Sequence, residues 1–244
     1  MVFDEEELKK GQKLVTKLRN AFQFVKMQLN EFDVKTEQFP NEQLYATERW
    51  ILTRLNATID KMNKYLDNYE YGLAKIAFEE FFWRDFCDNY LELVKVRLYQ
   101  PERFEDGEKK KKSGQQILHF VFLTIIKLIA PYLPHISEEI YQEYFRRDVE
   151  RPSIHKSGFP PVNPHNTELG IEEKMSTVLE IVEQVRKYKS ESQISMGAEL
   201  SKLIISANQE QKQAIQLFLD DVQGVTKAKE IEREEGTLGV KCVQ

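Results

Sequence analysis

The chain has 244 residues, 41% hydrophobic and 31% charged, which suits a soluble, helix-rich protein with room for one large domain, or a bundle plus a small appendix. A formal net charge of −5 argues against a protein that coats nucleic acid indiscriminately, because such binding neutralises many phosphates. The longest apolar stretch, Ile117 to Ala130, is interrupted by His119, Thr124 and Lys127, so no membrane span is expected. The acidic opening MVFDEEELKK lacks a signal peptide's basic-then-apolar pattern. Cys87 and Cys242 lie far apart without ligand-like spacing, which points to a reducing, cytoplasmic setting and no metal site.

The first helix is predicted from Asp4, as N-cap, to about Leu29. Leu8, Gly11, Val15, Leu18, Phe22, Val25 and Leu29 recur at three- and four-residue steps and form its buried stripe. The opposite face carries Lys13, Lys17, Asn20, Gln23, Phe24 and Met27. Phe24 and Met27 among lysines either pack on a neighbour or belong to a contact surface. From Leu8 to Lys35 there are seven Lys or Arg residues against Glu31 and Asp33, so this stretch is basic in an acidic chain.

A linker over Asn30–Pro40 precedes a second helix starting near Asn41, with the stripe Leu44, Ile51, Leu55, Ile59, Met62 and Leu66. Trp50 falls about 100° from Ile51, on the line Ala46, Trp50, Arg54, Ala57. An indole beside Arg49 and one turn from Arg54 is either a platform for stacking a nucleobase or the edge of a helix–helix contact. The stretch Phe78–Gln100 then puts large side chains on nearly every face, as expected of a central helix surrounded by others.

The polar segment PERFEDGEKKKKSG, with Lys109 to Lys112, reads as a solvated loop, and the next helix is predicted from about Ser113. Pro131 and Pro134 break it, and HISEEIYQEYF continues to about Arg147. Long helices joined by short loops predict an up-down helical bundle, so the fold class is mainly α. Beyond it come the proline-rich connector and a helix over Gly170–Lys189. A strand at Leu200–Ser206, a helix at Gln209–Asp221 and two short strands joined through Gly236 form a small α+β C-terminal module.

Catalytic signatures are missing from the sequence. It has no Gly-rich phosphate loop, no H-E-x-x-H and no nucleophile elbow, and His119, His135, His155 and His165 are scattered. The chain is not expected to be catalytic alone.

The segments ATERWILTRLN, FFWRDFCDNYLELVK and APYLPHISEEIYQ resemble the anticodon-binding region of class I aminoacyl-tRNA synthetases. The central wording is most similar to the valyl-tRNA synthetases. KLRNAFQFVKMQL, SIHKSGFP and VLEIVEQVRKYKSESQISMGAEL resemble further family segments in the same order, so the resemblance covers essentially the whole chain. The chain departs from the family pattern at Arg19, where Trp is common, at Gln23, where Arg is common, and at Phe159, where the connector usually has Trp. Gln23 keeps hydrogen bonding but loses charge. Lys174-Met175-Ser176-Thr177 resembles the family's KMSKS signature, but it falls mid-helix with no nucleotide-binding fold around it, and is rejected as a site.

The resemblance implies an anticodon-binding bundle over 1–150, a connector over 151–170 and the C-terminal module over 171–244. It implies valine tRNA as partner, bound by its anticodon stem-loop, along with catalytic and editing domains that precede this region. ATP and Mg would belong to that parent enzyme, with no cofactor here, and a monomer is expected. The candidate tRNA-binding residues are Lys13 and Lys17 for backbone steering, Asn20 and Gln23 as polar readers, and Phe24 as a second stack or a core residue. Arg49 and Arg54 would take phosphates or base edges, and Trp50 would be the stacking platform. A leucyl or isoleucyl anticodon domain and a helical protein-interaction scaffold are the alternatives.

Overall fold

The computed structural model describes residues 5–30, 32–33, 44–149 and 151–243. Helix α1 spans Glu5–Gln28, α2 Ala46–Asp67 and α3 Tyr71–Glu80. The chain continues from α3 without a break through a π-helical segment, Phe81–Tyr90, into α4, Leu91–Tyr99. Helix α5 is Gly107–Ile129 and α6 is Pro134–Ile140. A π-helical turn, Tyr141–Phe145, leads into α7, Arg146–Val149. The expected caps Asp4 and Asn41, and linker residues 34–40, lie outside the described residues.

Long-range contacts fix the helix directions. Phe22 stacks on Phe122 at 6.2 Å and Gln115 donates to the Gln28 carbonyl, so α1 and α5 are antiparallel. Lys17 meets Asp88 while Phe24 meets Tyr99, so α1 runs parallel to the long kinked helix. Arg97 meets Glu48 while Arg54 meets Asp85, so α2 opposes that helix. The result is the up-down bundle that the spacing predicts.

The core is a file of aromatic rings. Phe78, Phe82, Phe86 and Tyr90 stack in succession with centroids 5.7, 6.3 and 6.0 Å apart. The last three of these rings lie on the π-helical segment at four-residue steps, and Phe78 precedes it in α3. Phe122 joins the file at Phe86 and passes it on to Phe145. Burying one such ring contributes about 2–3 kcal/mol, so this file is a main source of bundle stability.

The α1 stripe is buried from Leu14 onward, at Leu18, Phe22, Val25 and Leu29. Leu8, expected inside, is 58% exposed because the first turns reach past the core. At the other end Tyr144 donates to the Leu29 carbonyl at 2.8 Å, satisfying an acceptor of the last turn.

Two helix starts differ from expectation. Helix α2 begins at Ala46, with extended Tyr45 ahead of it and the Leu44 carbonyl taken by the Arg49 guanidinium at 2.6 Å. Helix α5 begins at Gly107, so Lys109–Lys112 form its first turns instead of a loop. Gly107 is required there, because a Cβ would lie 1.8 Å from the Pro101 carbonyl oxygen. Lys110 is drawn in by Asp220 at 2.6 Å and sits over the rings of Tyr45 and Phe104.

Two 3₁₀ turns, Ile154–Lys156 and Pro164–Asn166, punctuate the connector. Buried Asn56 of α2 holds it by donating to Thr167 and accepting from the Asn163 amide. Helix α8 follows at Ile171–Glu191, then β1 at Leu200–Ala207, α9 at Gln209–Leu217, α10 at Leu219–Thr226, β2 at Ala228–Glu235 and β3 at Gly239–Val243. The single helix expected over 209–221 is therefore two, parted at Phe218. The last two strands do not pair with each other but flank β1, β2 parallel and β3 antiparallel. Leu203, Ile205 and Ala207 alternate inward from β1, and Leu200 is buried at its start.

A buried ionic cluster ties these elements to the bundle. Arg97 lies 2.9 Å from both Glu48 of α2 and Asp221 of α10, and Thr47 donates to Asp221. Burial pushes both carboxyls up from their ordinary values, with the Arg97 charge opposing. Burial would lower Arg97, but Asp221 and Glu48 outweigh it and hold the guanidinium charged.

Candidate nucleic-acid interface

Helix α1 presents one face away from the core. Lys13, Asn20 and Gln23 are exposed on it, and Lys17 and Phe24 are half-buried. Phe24 rests edge-on against Tyr99 at 6.2 Å, and Met27 lies beside the same tyrosine. The Lys17 ammonium sits 5.4 Å from the centre of half-exposed Trp83, a cation–π distance, and 3.6 Å from Asp88. Lys17 and Phe24 are seven residues apart, about 10 Å along the axis. The ridge therefore has an aromatic–cation pair at one end, an aromatic pair at the other and two amide side chains between.

Not every basic group on α1 is free for a ligand. Arg19 makes two contacts of 3.1 Å to Glu139, and Lys26 is 2.6 Å from Glu143, which joins α1 to α6 and the turn after it. Lys13 has no acidic partner among the described residues.

The candidates on α2 lie elsewhere and are occupied. Trp50 is 2% exposed and belongs to the core, so it is not a surface stacking platform. Helix α8, an element more than a hundred residues later, lies beside Trp50 and Arg54 on that line. Arg54 is clamped between Asp85 at 2.8 Å and Glu172 at 2.5 Å. Arg49 is held by Glu168 at 2.6 Å as well as by the Leu44 carbonyl. Both guanidinium groups join α2 to the segments packed over it.

Sequence reasoning missed Trp83, Asp88 and Tyr99 as parts of the α1 ridge. Their stretch reads as core by composition, and only the π-helical register turns Trp83 and Asp88 toward Lys17. Beside the ridge a cleft of about 440 Å³ opens between α1, the π-helical segment and α8. Cys87 lies at its floor, where burial pushes the thiol up to about 12. Lys189 is buried at its edge with all three ammonium hydrogens donated to the carbonyls of Met196, Ala198 and Thr226, at 2.7–3.1 Å.

Exposed Glu230, Glu232, Glu234 and Glu235 line edge strand β2 together with the cations Lys229 and Arg233, so that strand is mildly acidic. Among the described residues no helix is long and apolar enough to cross a membrane, and no His, Cys, Asp and Glu cluster could hold a metal.

A helical bundle with a basic, aromatic ridge has the form of a nucleic-acid recognition domain. Residues 48–204 match the family described as the anticodon-binding domain of tRNA ligase, and the chain belongs to that family. It is 36% identical over 241 residues to a valine–tRNA ligase of Ehrlichia ruminantium (strain Gardel), the match covering 97% of this chain and 28% of that protein. A valine–tRNA ligase of Methanothermobacter thermautotrophicus is 33% identical over 222 residues, covering 91% of this chain and 24% of that protein. One from Synechocystis is 30% identical over 233 residues, covering 94% and 25%. The chain thus spans about a quarter of the length of these relatives. Helix α1 precedes the family match, but the match to the Ehrlichia ruminantium protein covers 97% of the chain and so takes in nearly all of α1.

Proposed function

We propose that this chain is the tRNA-recognition part of a valine–tRNA ligase and binds the anticodon stem-loop of valine tRNA. The observation that carries the reading is the α1 ridge, where Lys13, Lys17, Asn20, Gln23 and Phe24 share one accessible face with Trp83 and Tyr99. Unpaired loop bases are recognised by stacking on aromatic rings and by hydrogen bonds to their edges, and phosphates by cations. The ridge supplies all three on a rigid helix. The valine assignment draws on these relatives, all of them valine–tRNA ligases. Aminoacylation, with ATP and Mg, is assigned to parts of the ligase outside this chain.

Replacing Lys13 and Lys17 together by Ala tests the role of α1. Affinity for a valine tRNA transcript at low salt is expected to fall by about 10-fold, with a shallower dependence on salt and an unchanged melting temperature. Unchanged affinity and salt dependence would remove α1 from the interface.

A second reading, contact with another protein, is favoured by one patch. Tyr69, Tyr71, Leu73 and Ile76 are all exposed around the turn between α2 and α3. Binding through that patch would respond little to salt, in contrast to binding of tRNA.

A further inference from the structure

We infer that Arg103, Lys227 and Lys229 build a phosphate-binding pocket for the tRNA backbone where the C-terminal module meets the bundle; this rests on the tRNA-binding reading above. The pocket, of about 330 Å³, lies between α10, the start of β2 and the 3₁₀ turn Pro101–Arg103, with Val96 and Phe104 as its apolar lining. Three cations face one carboxylate there. Glu199 lies 3.9 Å from Arg103 and 3.1 Å from Lys229, and Lys227 makes no ion pair among the described residues. One carboxylate cannot neutralise three cations, so the pocket stays positive in a chain that is acidic overall. Glu230, Glu232 and Glu234 alternate with Lys229 along β2 and so take the other face of the sheet, level with Lys202, Ile204 and Ser206 of β1. Glu235 is taken by Lys212.

Lys227 gives the second indication. It takes the left-handed conformation, φ 60°, at the end of α10, where glycine would be free of strain. Burial lowers its ammonium below the ordinary lysine value, and the Arg103 and Lys95 charges act in the same direction, with Glu92 and Glu199 opposing. An anion between Arg103 and Lys227 relieves that repulsion. The backbone around these cations is already fixed. Leu200 donates to the Lys227 carbonyl at 3.0 Å, and Gln223 to the Lys229 carbonyl at 3.2 Å. Gly224 packs so tightly on α4 that a Cβ would lie 3.1 Å from Val96. Little ordering is left for binding. The place of the pocket identifies the anion. Thr226 lines the cleft beside α1, and its neighbour Lys227 lines this pocket. A strand that leaves the α1 ridge across α10 reaches the pocket next, and what it presents to lysine and arginine, whatever its bases, is phosphate.

The test titrates a labelled valine tRNA transcript, and one with its middle and third anticodon bases changed, with the chain and with the double variant Arg103→Gln, Lys227→Gly. Glycine at 227 removes the charge and suits the left-handed backbone, so the variant should melt no lower than the unaltered chain. Both transcripts should lose affinity by the same factor, about 10-fold at low salt, and the slope of log affinity against log salt should fall by about 2. Inorganic phosphate, titrated into the chain alone at fixed ionic strength, represents the other source of the same chemistry. If it binds through Lys227 while transcript affinity is equal for variant and unaltered chain, the pocket serves a free phosphate and the inference is overturned. Unchanged affinity without phosphate binding overturns it too, as does weakening of the two transcripts by different factors, which would mean that bases are read there. In each of these cases transcript binding by the unaltered chain keeps the tRNA reading. If the unaltered chain binds no transcript, both fall.

Discussion

The guanidinium of Arg97 in α4 lies 2.9 Å from the carboxylate of Asp221 in α10, and both side chains are buried. With Glu48 at the same distance on the other side, one cation serves two carboxylates from two other helices. Breaking such a cluster from one side leaves uncompensated charge in a low-dielectric interior, which typically costs about 3–5 kcal/mol.

Arg97→Met should therefore lower stability by about that amount, read as a shift in urea midpoint. The loss should be partly recovered as pH is lowered, because protonation of Glu48 and Asp221 removes the stranded charges. A change below about 1 kcal/mol would mean that the cluster contributes little net stability.

His119 is buried against Phe145, with Nε2 2.9 Å from Asp148. Burial lowers its pKa below the ordinary 6.5, and Asp148 only partly opposes the shift. A lowered base binds fewer protons folded than unfolded, so its contribution is complete above 6.5 and is lost as pH falls toward the folded value. The urea midpoint should drop more between pH 7.5 and pH 5.5 for the unaltered chain than for His119→Gln. Equal drops would assign the acid sensitivity to other groups.

Cys87 is 5% exposed with its thiol pushed up to about 12, whereas Cys242 is only half-buried. A thiol reagent at pH 8 should modify Cys242 first and reach Cys87 only on unfolding. Fast modification of both would show that the cleft floor opens in solution.

Much of the bundle is legible from periodicity alone. Leu18, Phe22, Val25 and Leu29, or Ile51, Leu55, Ile59 and Met62, can share one face only in a helix, and each is buried. What the sequence hides are effects from distant segments. Trp50 falls off the main stripe of α2, but α8 supplies the partner that buries it. Lys109–Lys112 read as loop because their local charge says so, yet Asp220 and two aromatic rings draw Lys110 into a helix. The π-helical register of Phe81–Tyr90 has no signature in residue spacing, so the placement of Trp83 and Asp88 beside Lys17 could not be read. Strand order was hidden too, because β2 reaches β1 by a crossover through two helices.

The measurement that bears most directly on the account is binding of this chain to a valine tRNA transcript at low salt, beside the same transcript with its middle and third anticodon bases changed. The account predicts that the change weakens binding by about 10-fold or more, with the acceptor stem untouched. Equal affinity for the two transcripts would contradict anticodon reading by this chain.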